Sequence, residues 1–145
     1  FQMGVFYSDK DEAKALEAFQ QAREKLVPLV ERYPNIPDYR ADLAATLLDI
    51  GRDHYRHGRL DDAGGVVTQL LKHFRWLLDR FGGQSQYEEK TAESLGLGAQ
   101  IAQRHFDHGE RKKAIECVER CLQFDPDDKH LRGLLQRFQD GAAEE

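Results

Sequence analysis

His54 to Ala63 reads HYRHGRLDDA, and fifty-one residues later His105 to Ala114 reads HFDHGERKKA. Gly58 and Ala63 recur as Gly109 and Ala114, behind the same order of His, aromatic, His and Gly. An echo at this offset is the mark of a chain built by stacking one supersecondary unit that cannot bury its apolar face alone. Reading outward from it, apolar residues recur at three- and four-residue steps and strand-like alternation is nearly absent, so the expectation is all-α.

Leu43, Leu47, Ile50 and His54 mark one helical stripe, which Gly58 ends. Ala63, Val67, Leu70, Phe74, Leu77 and Phe81 mark the next, which Gly82 and Gly83 end. Ser85, with Glu88 three residues on, has the pattern of a capping box. The helix it opens should run to about His108, roughly 36 Å at 1.5 Å per residue. Gly109 then supplies a left-handed residue that ends it without a Cβ clash. Ala114, Ile115, Val118, Cys121 and Leu122 stripe the following helix. At Asp125-Pro126-Asp127-Asp128 that helix stops and another starts, with proline suited to a first turn and carboxylates to its positive end. Leu131, Leu134, Leu135 and Phe138 line a final helix whose other positions are polar, as a solubilising cap requires. The first forty residues fit the same unit with its front removed: Ala15, Phe19 and Ala22 have the spacing of Ala63, Val67 and Leu70. FQMGVFY would be the tail of a preceding helix. Pro28 falls inside the helix of residues 11–33, where it removes a hydrogen bond.

Gly51, Gly58 and Ala63 resemble the signature of a tetratricopeptide repeat, as do Gly109, Ala114 and Pro126, and Ala15, Phe19 and Ala22. Small residues let paired helices approach where a larger side chain would cost roughly 1–3 kcal/mol by overpacking. Against the usual period of about 34 residues these units are longer. Ala102 stands where the preceding unit has Gly51, and Gly98 where a large apolar residue is expected. The resemblance implies a right-handed superhelical stack of helical hairpins. A truncated first unit would span 1–33, a second unit 37–81, a third 85–124 and a capping helix 127–139. Tyr33 to Gly51, YPNIPDYRADLAATLLDIG, is similar to the repeat linker in the tetratricopeptide tails of planctomycete-type bacterial Ser/Thr protein kinases and related multidomain proteins. That implies a larger bacterial parent and no activity here.

By the same resemblance the first helix of each unit lines a concave groove. In the second unit the groove would carry Ala45, Leu48, Asp49, Arg52, Tyr55 and Arg56. In the third it would carry Gly96, Ala99, Gln100, Gln103, Phe106 and Asp107. Arg52, Tyr55, Arg56, Leu48, Gln103 and Phe106 are the expected partner-binding set. Arginine pairs with carboxylates and aromatic rings offer rigid contact area. The competing reading of these positions is a solvated helix face. The set lacks the lysine and asparagine clamp with which chaperone-binding relatives grip a terminal carboxylate, so that class of peptide is not expected.

His54 and His57, and His105 and His108, are the strongest chemical temptation. A spacing of three puts each pair on one helix face, and neighbouring units could bring four imidazoles to one metal ion. The alternative gives His54 and His105 a semi-buried packing role and His57 and His108 the negative helix end. The second reading is preferred, and no metal or other cofactor is expected. Gly96 and Gly98, mid-helix, are read as close-packing positions. Trp76, Phe74 and Phe81 are read as core or inter-unit residues.

The chain of 145 residues is 40% hydrophobic and 32% charged, with a net charge of -5. A mildly acidic surface repels phosphate backbones, which argues against nucleic acid. No apolar run reaches the ~20 residues of a membrane span. Cys117 and Cys121, four apart on a helix, are poorly placed for a disulfide and are read as buried thiols. A reducing cytoplasm is the compartment expected from that cysteine usage. Adjacent carboxylates such as Asp61-Asp62 point apart on a helix and make no acid–base pair. The resulting expectation is a non-catalytic scaffold for a protein or peptide, with homodimerisation through the first helix as a further possibility.

Overall fold

The computed structural model describes residues 9–141, and they form six α-helices. These are α1 (Asp9–Arg32), α2 (Pro37–Arg56), α3 (Leu60–Phe81), α4 (Ser85–Asp107), α5 (Arg111–Phe124) and α6 (Lys129–Gly141). No strand occurs among the described residues. Each helix packs on the next, and α2 also touches α4, α3 touches α5, and α4 touches α6. Helices α2, α4 and α6 therefore form one row and α3 and α5 a second. The all-helical stack of paired helices expected from the echo is present.

The stripes read from the sequence form one continuous core. Leu47, Ile50, Leu70, Phe74, Leu77, Ile101, Val118 and Phe138 are all buried within it. Each such side chain contributes about 1.5–3 kcal/mol by leaving water. Gly58 and Gly109 end α2 and α4 with φ of 74° and 80°, a region that a Cβ disfavours. In both turns the N–H five residues past the first histidine closes back on the chain: Arg59 N–H donates to the His54 carbonyl at 2.9 Å, and Glu110 N–H to that of His105 at 2.8 Å. Small residues also set the spacing between helices. A Cβ on Gly98 would stand 2.6 Å from Cys121 Sγ, and one on Gly51 would stand 3.2 Å from Leu97 Cδ2. Gly96 is different: it is exposed, and a Cβ there would meet nothing within 4 Å. The close-packing expectation holds for Gly98 and not for Gly96.

Cys117 and Cys121 are free and buried. Cys117 Sγ donates to the Gly98 carbonyl at 3.4 Å. The neighbouring Cys117 thiol, together with burial, pushes the Cys121 pKa up.

Several local expectations are corrected. Ser85 is the first residue of α4 and not its cap; Gln84 holds that position with no side-chain bond to the helix, so Ser85 and Glu88 form no capping box. Helix α6 begins at Lys129, and Pro126 lies in the turn before it. Its cap is Asp128, whose Oδ1 accepts the Leu131 N–H at 3.0 Å. Pro28 does lie inside α1. Ala15 is exposed and Phe19 and Ala22 are only half-buried, whereas their counterparts in α3 and α5 are fully buried. Among the described residues the main packing of α1 is against α2. FQMGVFY lies outside the described residues.

On α6, Leu131, Leu134 and Phe138 are buried, while Lys129, Arg132, Gln136, Arg137 and Gln139 are exposed. That division is the one expected of a capping helix.

Candidate partner-binding face

The row of α2, α4 and α6 carries the residues expected to bind a partner, and the geometry divides them. Leu48 is a correction: it is 1% exposed and belongs to the core, so no ligand can reach it. It is turned inward because α2 is covered by α1, α3 and α4. Ala99 is likewise buried.

Arg52 and Arg56 lie one turn apart on the outer side of α2. The Arg52 guanidinium donates to Glu93 Oε1 of α4 at 2.6 Å, and Asp49 stands 4.0 Å away. Arg52 and Lys90 hold the Glu93 carboxyl below the usual range, the hydrogen bond from Arg52 being the main cause. Arg56 is the freest of the set, its side chain 60% exposed and 3.7 Å from Asp53 Oδ1. Tyr55 lies beneath Arg104 of α4. The Arg104 guanidinium is 4.3 Å from the Tyr55 ring centre and donates to its hydroxyl at 3.0 Å. Gln103 donates to Asp107 at 2.9 Å and accepts from Arg137 of α6. Phe106 stacks on Phe138 with ring centres 4.6 Å apart.

Thus Arg52 and Tyr55 sit at the seam between α2 and α4, with exposed Arg56 one turn beyond Arg52 on α2, while Gln103 and Phe106 sit one seam further on, against α6. Tyr55 and Phe106 hold equivalent places in the two units. Each is covered by a side chain from the next helix of the row, a guanidinium in one case and a ring in the other.

The paired histidines do not converge. Among the described residues no three His, Cys, Asp or Glu side chains are grouped so as to hold a metal ion. The four-imidazole alternative for His54, His57, His105 and His108 finds no such grouping there, and the rings of His54, His57 and His105 have local partners instead. His54 Nδ1 accepts from Arg59 Nε at 2.9 Å. Burial, with the Arg59 charge, lowers the His54 pKa. His57 donates from Nδ1 to the Asp53 carbonyl at 2.8 Å and from Nε2 to Glu12 at 3.1 Å. Those two bonds, the backbone one first, raise its pKa. Buried His105 donates to Glu110 at 2.9 Å, and that bond pulls the Glu110 pKa down. One histidine position thus faces arginine in one unit and glutamate in the next.

Asp53, Glu93 and Arg104 are the residues that sequence reasoning missed. Asp53 is 2% exposed and receives Arg59 Nη2 at 2.9 Å. A signal was available: Asp53 stands three residues past Ile50, on the buried side of the helix, where a carboxylate requires a cation. Glu93 and Arg104 gave no such signal, because their partners come from another helix.

No protein-family model matches the chain. It is similar to DnaJ homolog subfamily C member 7 of Mus musculus and of Homo sapiens, 26% identical over 147 aligned positions in both cases, which takes in 86% of this chain. The chain spans 28% of the length of those relatives. The likeness is distant. Together with helices packed in consecutive pairs, it fits a tetratricopeptide-like repeat. No helix among the described residues is long and apolar enough to cross a membrane.

Proposed function

We propose that the chain is a non-catalytic interaction scaffold that receives a protein segment along the row of α2, α4 and α6. One observation carries this reading: Arg52 and Arg56 stand one turn apart on the outer side of α2, at a seam where neighbouring first helices already exchange side-chain pairs. An incoming carboxylate fits there because Glu93 marks the position it would take. The ligand displaces Glu93 from Arg52 and adds a contact to Arg56, with Tyr55 as a firm wall beside them. An exposed ion pair of the Arg52–Glu93 kind is worth about 0–1 kcal/mol, so the displacement costs little.

The test is binding of the native partner captured from lysate. Arg52→Ala with Arg56→Ala should weaken binding while leaving the melting temperature nearly unchanged, and Glu93→Gln should strengthen it by freeing Arg52. If the double variant loses its fold, or if all three proteins bind equally, the face is structural.

We also propose that the scaffold serves a larger bacterial, cytoplasmic protein. The similarity of residues 33–51 to the repeat linker of planctomycete-type kinase tails supports this, as does the small share of the relatives' length that the chain covers. Both relatives above are mammalian, so the source genome decides the point. An antibody to this stretch should detect a native product well above 16.7 kDa.

A further inference from the structure

At the other end of the α2–α3 hairpin, far from the Gly58 turn, one indole carries two guanidiniums. Arg40, in the first turn of α2, stands 4.2 Å from the Trp76 ring centre, and Arg80 of α3 stands 4.6 Å from it. Arg40 Nη1 is 3.2 Å from His73 Nδ1, and Nη2 donates to the Pro34 carbonyl at 3.3 Å. Arg40 Nε is buried and has no hydrogen-bond partner. Neither arginine forms an ion pair with a carboxylate among the described residues. Asp79, next to Arg80 in the chain, pairs with Arg75 instead.

Two like charges against one ring repel, and their partial removal from water strengthens the repulsion. Burial and the Arg80 charge lower the Arg40 pKa, and burial with Arg40 lowers that of His73. The surroundings therefore disfavour further positive charge and lack a counterion, in a chain whose net charge is -5.

Apolar surface lies beside them. The large hydrophobic side chains that are exposed among the described residues are Val27, Tyr33 and Ile36, all within ten residues of one another. The loop that carries Tyr33 and Ile36 is tied to the arginines by the Arg40–Pro34 bond, and the Tyr33 ring is 6.0 Å from that of Tyr39. Trp76 in turn is 6.0 Å from Phe81. Arg40 thus joins an aromatic, cationic cluster at Trp76 to the loop that exposes Tyr33 and Ile36. Arginine and tryptophan are residue types that dominate binding at interfaces, and each guanidinium can match the two oxygens of a carboxylate.

We propose that this patch docks an acidic segment of a partner protein, its carboxylates pairing with Arg80 and Arg40 and an adjacent apolar side chain covering Tyr33 and Ile36. This is a second surface, independent of the Arg52–Arg56 seam.

Trp76 is the single tryptophan of the chain, so its fluorescence reports the site directly. The blocked peptide EELFEE, which lacks tryptophan, is titrated into the whole chain, with KKLFKK and inorganic phosphate as controls. A saturable change in emission is expected with EELFEE and with neither control. Arg80→Gln should weaken the midpoint by about tenfold or more, as for the loss of a charge-assisted bond. Arg52→Ala with Arg56→Ala should leave it unchanged, which separates this inference from the function proposed above. If Arg80→Gln shifts the melting curve, Arg80→Lys decides instead, and a weakened midpoint supports the proposal while an unchanged one overturns it. The proposal is equally overturned by no saturable change, by an equal response to KKLFKK, by phosphate alone saturating the response, or by an effect confined to the Arg52/Arg56 variant.

Discussion

Asp53 shows how one buried charge organises a turn. Its carboxylate receives Arg59, stands 3.7 Å from Arg56, and shares its own backbone carbonyl with His57. Asp53→Ala should cost about 1–3 kcal/mol, since Arg59 is partly exposed and can return to water. Thermal unfolding followed by circular dichroism should show a loss of several degrees, and an unchanged midpoint would mean that the turn holds without the carboxylate. The two histidines of this turn respond to pH with opposite sign. His54, lowered from 6.5, contributes its stability as a neutral acceptor. The unfolded chain takes up that proton first as pH falls below about 6.5, so the contribution is lost on acidification. His57, raised from 6.5, contributes as a cation below that value, and the contribution is lost as pH rises through its folded pKa. Urea unfolding between about pH 5 and about pH 8 should show His54→Asn costing most at the alkaline end and His57→Gln most at the acid end. Solvent screening will keep the His57 effect small.

At the scale of helices, the sequence made existence and order legible and left the ends less so. The three- and four-residue stripes located all six helices because burial of one face decides each of them. The start of α4 was misread because Ser85 and Glu88 carry a capping pattern that the chain does not use; the preceding turn from Gly82 and Gly83 already delivers Gln84 to the cap position. The start of α6 was placed early because four residues in a row at 125–128 favour a helix entrance, and only coordinates show that Asp128 is the one that caps. Gly96 and Gly98 read alike in sequence yet face different surroundings. Gly98→Ala drives a Cβ to 2.6 Å from Cys121 Sγ and should destabilise by about 1–3 kcal/mol, with part of the loss restored by Cys121→Ala. Gly96→Ala meets open space and should stabilise by up to about 1 kcal/mol. Equal effects of the two substitutions in denaturant unfolding would contradict the packing described for α4 and α5.

For the whole molecule, the candidate face was half legible. Arg52, Tyr55 and Arg56 were reachable from helical phase alone. Leu48 falls on the other side because the same phase cannot tell which helices will cover a residue, and α2 is covered by α1, α3 and α4. Gln103 and Phe106 were placed on the correct helix, but their partners Arg137 and Phe138 lie more than thirty residues away and no local pattern announces them. Phe106 couples α6 to the rest of the stack: besides stacking on Phe138, its ring would come within 2.9 Å of a Cβ on Gly141. In a stack, stability is a sum of neighbouring interfaces. Phe106→Ala should therefore raise the rate of amide hydrogen exchange across residues 129–141 far more than in α2 and α3, a local opening and not a global loss. Uniform acceleration along the chain would show that the terminal interface is not separable.

The opposite charges at Arg59 and Glu110 restrict how such a gene can change its length. Slippage that removed one 51-residue period, fusing His57 directly to Gly109, would keep every apolar stripe in phase. It would also bring Glu110 into the place of Arg59, against the enclosed carboxylate of Asp53, leaving two anions where a pair of opposite sign had been. The repeats are interchangeable in outline and not in charge, so their number is guarded by a single turn.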